Sequence, residues 1–139
     1  MARKHKLFIS HSWAYGDEYD RLIRLLDSRA YFFYSNYSVP KDDPVHTRGS
    51  DRELQQAIFN RIRFCGVVVI LGGVYSTYSR WINTEIELAK EAFSNPKPVL
   101  AIYPWGSERI SAVVREQADM IVGWNTESVV RAIRTLDPS

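Results

Sequence analysis

The sequence predicts an α/β three-layer sandwich built on a five-stranded parallel sheet. Two observations carry this expectation. Short apolar runs of strand formers alternate with segments of helical periodicity about five times along the chain. And "GVVVIL", Gly66 to Leu71, is an uninterrupted β-branched run, the pattern of a central parallel strand buried on both faces.

The elements follow in order. "KLFIS", Lys6 to Ser10, is the first strand. "DEYDRLIRLLDSR", Asp17 to Arg29, places Tyr19, Leu22, Ile23 and Leu26 at helical spacing. "YFFY", Tyr31 to Tyr34, is strand-like, and Ser35 to Gly49, with Pro40 and Pro44 among many turn residues, reads as a long loop. "SDRELQQAIFNRIRF" is a helix with Ser50 and Glu53 as a capping box and Leu54, Ala57, Ile58 and Ile62 as its apolar face. After "GVVVIL" comes "YSTYSRWINTEIELAKEAF", Tyr75 to Phe93, a polar loop feeding a helix. "PVLAIYPW", Pro98 to Trp105, is another buried strand, Glu108 to Ala118 a weaker helix, and Asp119 to Trp124 a short strand. The terminal helix starts at a cap, Asn125 or Thr126, and buries Val129, Val130, Ile133 and Leu136. Right-handed crossovers put helices on both faces of such a sheet. The expected strand order is flavodoxin-like, with the second strand at an edge.

The chain of 139 residues favours one compact domain, 1–139, with its core between residues 6 and 136. Formal net charge is only +2 and the charges are interspersed, so neither nucleic acid nor a membrane is expected as a partner. The basic start has too short an apolar run for a signal sequence, and no segment reaches transmembrane length. A single cysteine, Cys65, rules out an intrachain disulfide and fits a reducing cytoplasm. It sits before a buried strand and reads as packed rather than nucleophilic.

In parallel sheets ligands bind outside the carboxyl ends of the strands. Those ends carry Ser10-His11-Ser12-Trp13, Ser35-Asn36, Gly72-Gly73-Val74-Tyr75 and Pro104-Trp105-Gly106. No G-x-G-x-x-G follows the first strand and no G-x-x-x-x-G-K-[ST] occurs, which argues against ordinary dinucleotide binding and excludes a P-loop. A phospho-receiver would need acidic residues where the sequence has Ser-His-Ser and Leu-Gly-Gly. The three histidines lie far apart without companion cysteines, so neither a metal nor a cofactor is expected.

The helix after "GVVVIL" holds the candidate chemistry. At about 100° per residue, Ile82, Ile86, Ala89 and Phe93 form one stripe. Glu85 falls at its edge, Trp81 lies one turn earlier, and Glu87 and Glu91 point away. Ser79 sits at the helix entry. Two readings of Glu85 stand side by side: a solvated helix glutamate with its stem on Trp81, or a carboxylate at the ligand crevice.

"KLFISHSW", the aromatic second strand, "NYSVPKDDP", "VVVIL" and "YSRWINTEIELA" together resemble a Toll/interleukin receptor (TIR) domain, more narrowly the TIR-like proteins of bacterial Thoeris antiphage defence and their stand-alone relatives. The resemblance runs from Lys6 to Leu136 and is sharpest at Ser79-x-Trp81-x-x-x-Glu85. It implies that Glu85 is catalytic, with Trp81 its neighbour. It implies that Ser10, His11, Ser12 and Trp13 border a nucleotide pocket. Asn36 to Pro44 would form the loop that TIR domains use for assembly and for gating the site, with self-association or contact with other TIR domains through 35–49, and Asn36, Tyr75, Tyr78 and Ser79 would join the substrate contacts. The sequence departs from many TIR domains in having Ile82 where they have cysteine and in lacking a Pro-Gly pair in this loop.

The activity implied is cleavage of the nicotinamide–ribose bond of NAD, a substrate rather than a cofactor. The product would be an ADP-ribose-derived, cyclic signalling nucleotide read by a downstream nucleotide-sensing effector. Glycosidases of the ordinary kind use two carboxyl groups, one to protonate the leaving oxygen. Nicotinamide is already cationic in NAD and leaves neutral, so one carboxylate facing the ribosyl cation suffices. Phe8, Trp13, Tyr75 and Tyr78 are candidates to stack on the bases. Two further function classes stay open: a non-catalytic TIR-type interaction module, and an enzyme like the nucleoside deoxyribosyltransferases, which also set a glutamate against a ribose carbon.

Overall fold

The computed structural model describes residues 4–10, 17–38, 50–71, 80–103 and 112–137. In chain order these form β1 (Lys4–Ile9), α1 (Asp17–Asp27), β2 (Phe33–Asn36), α2 (Asp51–Ile62), β3 (Val67–Leu71), α3 (Arg80–Glu91), β4 (Val99–Tyr103), α4 (Ala112–Gln117), β5 (Met120–Gly123) and α5 (Thr126–Leu136). The strands make one parallel sheet in the order β2-β1-β3-β4-β5. This is the expected flavodoxin-like arrangement, with β2 at an edge and β3 in the centre.

Every residue of β3 is buried, because helices cover both faces. Val67, Val69 and Leu71 join Leu7, Ile9, Leu22, Leu26, Val129, Val130 and Ile133 on the side of α1 and α5. Val68 and Ile70 join Phe8, Leu54, Ile58, Ile62, Ile82, Ile86 and Ala89 on the side of α2 and α3. The period-2 alternation of each strand divides its side chains between these two cores. Among the described residues no helix is long and apolar enough to cross a membrane.

The helix starts are encoded locally. The Ser50 hydroxyl accepts from Glu53 N at 3.1 Å, while Glu53 Oε1 accepts from Ser50 N at 3.3 Å, the expected capping box. At α5 the cap is Asn125, whose Oδ1 accepts from Ser128 N at 3.0 Å. β2 begins at Phe33, two residues beyond the reading of the sequence, because Tyr31 adopts φ 61° and still belongs to the turn from α1.

β1 also begins earlier than the sequence indicates, at Lys4, and this brings His5 into the sheet. His5 is 4% exposed, stacks on Phe32 with ring centroids 5.4 Å apart, and lies 2.6 Å through Nδ1 from Oδ2 of the fully buried Asp137. The contact ties the residue after α5 to the start of the sheet. Gly66 leaves room for it: a Cβ there would sit 2.5 Å from Asp137 Oδ1. Removing the carboxylate strands a buried imidazole. Asp137→Ala is expected to cost about 2–3 kcal/mol and to lower the melting temperature by about 5 °C or more. Thermal denaturation at pH 7 checks this.

Candidate active site at the carboxyl end of the sheet

Strand alternation decides which side chain leaves the sheet at its carboxyl end. Leu7 and Ile9 of β1 face α1 and α5, so Phe8 and Ser10 face α3. Ser10 is held from behind: its N–H donates to Val69 O of β3 at 2.8 Å. Across the gap, α3 packs through Ile82, Ile86 and Ala89, and this docking carries Glu85 inward to 6% exposure. The Ser10 hydroxyl, itself 1% exposed, donates to Glu85 Oε1. Of the two readings of Glu85, the solvated helix residue is therefore set aside. Glu87 on the same helix is exposed and Glu91 also lies on the outer side.

Burial raises the Glu85 carboxyl to about 8, and the Ser10 hydroxyl pulls in the opposite direction. Desolvation wins because the one neutral donor among the described residues replaces only part of the hydration that a carboxylate loses. Near neutrality the group holds its proton in the unliganded protein and is poised to lose it. Groups with this property concentrate at functional sites. Cys65, by contrast, is buried in the core and burial pushes its thiol up to about 11, so it is packed rather than reactive.

The expected site residues divide into three groups. Ser10 and Glu85 meet. Phe8 and Asn36 do not join them. Phe8 is 1% exposed beneath Ser10, in the core with Leu54 and Ile58, where no substrate ring can stack on it. Asn36 pairs in register with Leu7, so its side chain lies on the α1 side of the sheet. There its Nδ2 donates to Tyr19 Oη at 2.6 Å and its Oδ1 accepts from Ser38 N at 3.0 Å. The third group, His11, Ser12, Trp13, Tyr75, Tyr78 and Ser79, together with the Trp81 side chain and residues 39–49 of the loop, lies outside the described residues. Among the described residues no cluster of three or more His, Cys, Asp or Glu side chains could hold a metal ion.

One residue went unnoticed in the sequence. Ser38, 6% exposed, accepts from Ile9 N at 3.0 Å, and its hydroxyl lies 2.8 Å from Ile9 O. β2 ends at Asn36, and Ser38 uses its side chain to satisfy the backbone groups of β1 that a longer β2 would have paired. It thereby fixes Ile9, the residue before Ser10. No sequence signal marks it, since a serine in a polar loop is ordinary.

Comparison with known proteins places this geometry in a family. The family model described as Thoeris protein ThsB, TIR-like domain, matches residues 8–109, a stretch that holds Ser10, Ser38 and Glu85. The chain belongs to this family. No curated protein sequence matches this TIR-like domain. Among solved structures it is similar to the CMP N-glycosidase BcmB of Clostridium botulinum, with TM-score 0.52 and 11% identity over 94% of this chain and 98% of that one. At that identity the likeness is one of fold.

The buried carboxyl makes a stability prediction. Its folded value, about 8, lies above its ordinary 4.5. The folded form therefore holds the proton more tightly than the unfolded form. The stability that this contributes is complete below the ordinary value and is lost as pH rises through the folded one. Glu85→Gln removes the ionisation. Its stability relative to the parent should climb between pH 5 and pH 8, by about 1.4 kcal/mol per pH unit, with its melting temperature rising in step, and level off above. Paired thermal melts across that range test it, and a constant difference would contradict the burial argument.

Proposed function

We propose that this TIR-like domain cleaves the nicotinamide–ribose bond of NAD and makes an ADP-ribose-derived, cyclic signalling nucleotide for antiphage defence. The observation that carries the reading is Glu85: a buried carboxyl group at the carboxyl end of a parallel sheet, hydrogen-bonded by Ser10. The Thoeris family match supports the defence context.

The chemistry follows from charge. As the C1′–N bond breaks, its electron pair stays with nicotinamide, which leaves neutral and needs no proton. Positive charge grows on the ribose. A carboxylate fixed beside it stabilises that charge without reorganising water. Glu85 holds a proton near neutrality in the free protein, yet the bound pyridinium is itself a cation and favours the charged carboxylate. Substrate binding thus prepares the group. Capture of the ribosyl cation by a group of the same molecule gives a cyclic product, and capture by water gives ADP-ribose and a proton. Assembly through loop 35–49 with other TIR domains, and a downstream effector that senses the nucleotide, belong to the same proposal.

A second reading rests on the structural neighbour and on the same proton. BcmB is a CMP N-glycosidase. A pyrimidine leaves as an anion unless it is protonated, and a protonated Glu85 could act as the acid. The two readings have opposite pH signatures. With NAD, activity requires the carboxylate, so kcat/KM should rise with pH through about 8. The acid limb of kcat should lie lower, because the bound cation favours ionisation. With a nucleoside monophosphate and Glu85 as acid, kcat/KM should fall through the same pH. Initial rates with NAD and with CMP from pH 5.5 to 9.5 distinguish them.

The decisive substitution pair is Glu85→Gln and Glu87→Gln. Glutamine keeps the size of the side chain and can still accept from Ser10, so folding should survive at either position. Loss of the buried charge should slow NAD turnover by roughly a hundredfold or more. Glu87 is exposed, and its glutamine variant should stay near the parent. Mass spectrometry of the products, with melting curves as the control, reads the outcome. Full turnover by folded Glu85→Gln would leave the non-catalytic interaction module in front.

A further inference from the structure

The geometry points to Ser10 as the positioning residue of Glu85: its hydroxyl fixes the carboxylate by one oxygen, stabilises the charged form, and leaves Oε2 to face the ribose. This deepens the reading of Glu85 as the group that acts on an N-ribosyl bond and rests on it.

Three features support this role. First, the donor is rigid. Ser10 N is bonded to Val69 O, and the preceding residue, Ile9, is gripped through its backbone by Ser38. The hydroxyl therefore sits on a strand end fixed from two sides, where positioning is better than on an unsupported loop. Second, the contact is enclosed. Ser10 is 1% and Glu85 6% exposed, so water competes poorly for either group. Hydrogen bonds to a charged partner gain strength in such surroundings. Third, among the described residues the influences on the carboxyl are burial and the Ser10 hydroxyl, and none comes from a charged side chain of β1, β3 or α3. His11, the titratable neighbour in sequence, lies outside them.

A serine present only to satisfy a buried glutamate would do something different. It would contribute to folding and leave the chemistry alone. A positioning serine controls how much carboxylate exists at the working pH and which oxygen is presented. Removing it should raise the pH at which Glu85 ionises, and activity should follow that ionisation.

The test uses the full chain labelled with 13C at the glutamate side-chain carboxyl carbons, the Glu85 resonance being assigned with Glu85→Gln. Its titration is read by NMR in the parent, in Ser10→Ala and in Ser10→Thr, alongside NAD turnover from pH 6 to 10. In Ser10→Ala the Glu85 midpoint is expected to move up by about one to two pH units, the worth of one hydrogen bond to a charged group. At pH 7 kcat/KM for NAD should fall about ten- to a hundredfold and kcat by less, because the bound cation favours the carboxylate, and both should recover as pH rises. Ser10→Thr keeps the hydroxyl and should restore the parent midpoint. An unmoved midpoint in a folded Ser10→Ala protein overturns the proposal. So does a shifted midpoint with undiminished kcat/KM at pH 7. A parent protein inert toward NAD sinks the NAD reading alone, and an unmoved carboxyl midpoint in Ser10→Ala then still overturns the role of Ser10.

Discussion

A carboxyl group enclosed at the mouth of a parallel sheet is the constraint on which the site depends. Glu85 gives up most of its hydration when α3 docks through Ile82, Ile86 and Ala89, and among the described residues the Ser10 hydroxyl returns part of it. The imbalance is what makes the group useful. A carboxylate fully satisfied by several donors would sit contentedly ionised and gain little from a cation. One that is under-compensated gains a great deal from any positive charge brought beside it. The helix supplies this tension at no cost to its own packing, because its apolar stripe is complete without Glu85.

β1 connects this site to the rest of the domain. At its carboxyl end Ser10 meets Glu85, and at its amino end His5 meets Asp137, so polar side chains anchor both ends of a strand whose middle, Leu7 to Ile9, is apolar. Its neighbours are β3 along one edge and the short β2 along the other. Where β2 stops, Ser38 continues the pairing with a side chain, and Asn36 braces Ser38 from the far face of the sheet. The edge strand thus stops short without leaving backbone groups of β1 orphaned, and the end of β1 stays fixed.

The sheet was legible because hydrophobic periodicity is a one-dimensional signal. "GVVVIL" can only be satisfied in the middle of a covered sheet, and the order of the remaining elements follows from crossovers. Glu85 was legible as a candidate because it borders the stripe of its own helix. Its depth was not, since a helical wheel says nothing about what another element places over the edge. The Ser10–Glu85 contact joins residues 75 apart, and no local pattern reports such a pairing. Strand alternation of His5, Leu7 and Ile9 could have placed His5 in the sheet, but a basic chain start disguised it. Asn36 failed as a pocket residue for a related reason: proximity to a strand end does not say which face a side chain takes, and its register with Leu7 gives it the wrong one. Tyr31 resisted reading because a left-handed backbone at an aromatic residue has no signature in composition.

Among the described residues the site holds one carboxyl group, and that narrows the chemistry open to it. Asp137 is the other buried carboxyl among the described residues, and it lies at the opposite end of the sheet beside Gly66. Glu85 therefore has no second buried acid near it among those residues. A bond whose leaving group must be protonated asks Glu85 to surrender its proton at the moment when the ribose asks for a negative charge. A single group can meet both demands only in sequence: the proton moves to the base, and the carboxylate left behind faces the cation. A leaving group that already carries positive charge removes the first demand, and its charge drives off the proton before the bond breaks. The buried, partly compensated state of Glu85 suits that second case more simply, because there binding and ionisation reinforce one another and no proton has to be aimed. This is the argument behind the proposal that the bond cleaved is the cationic N-ribosyl bond of NAD.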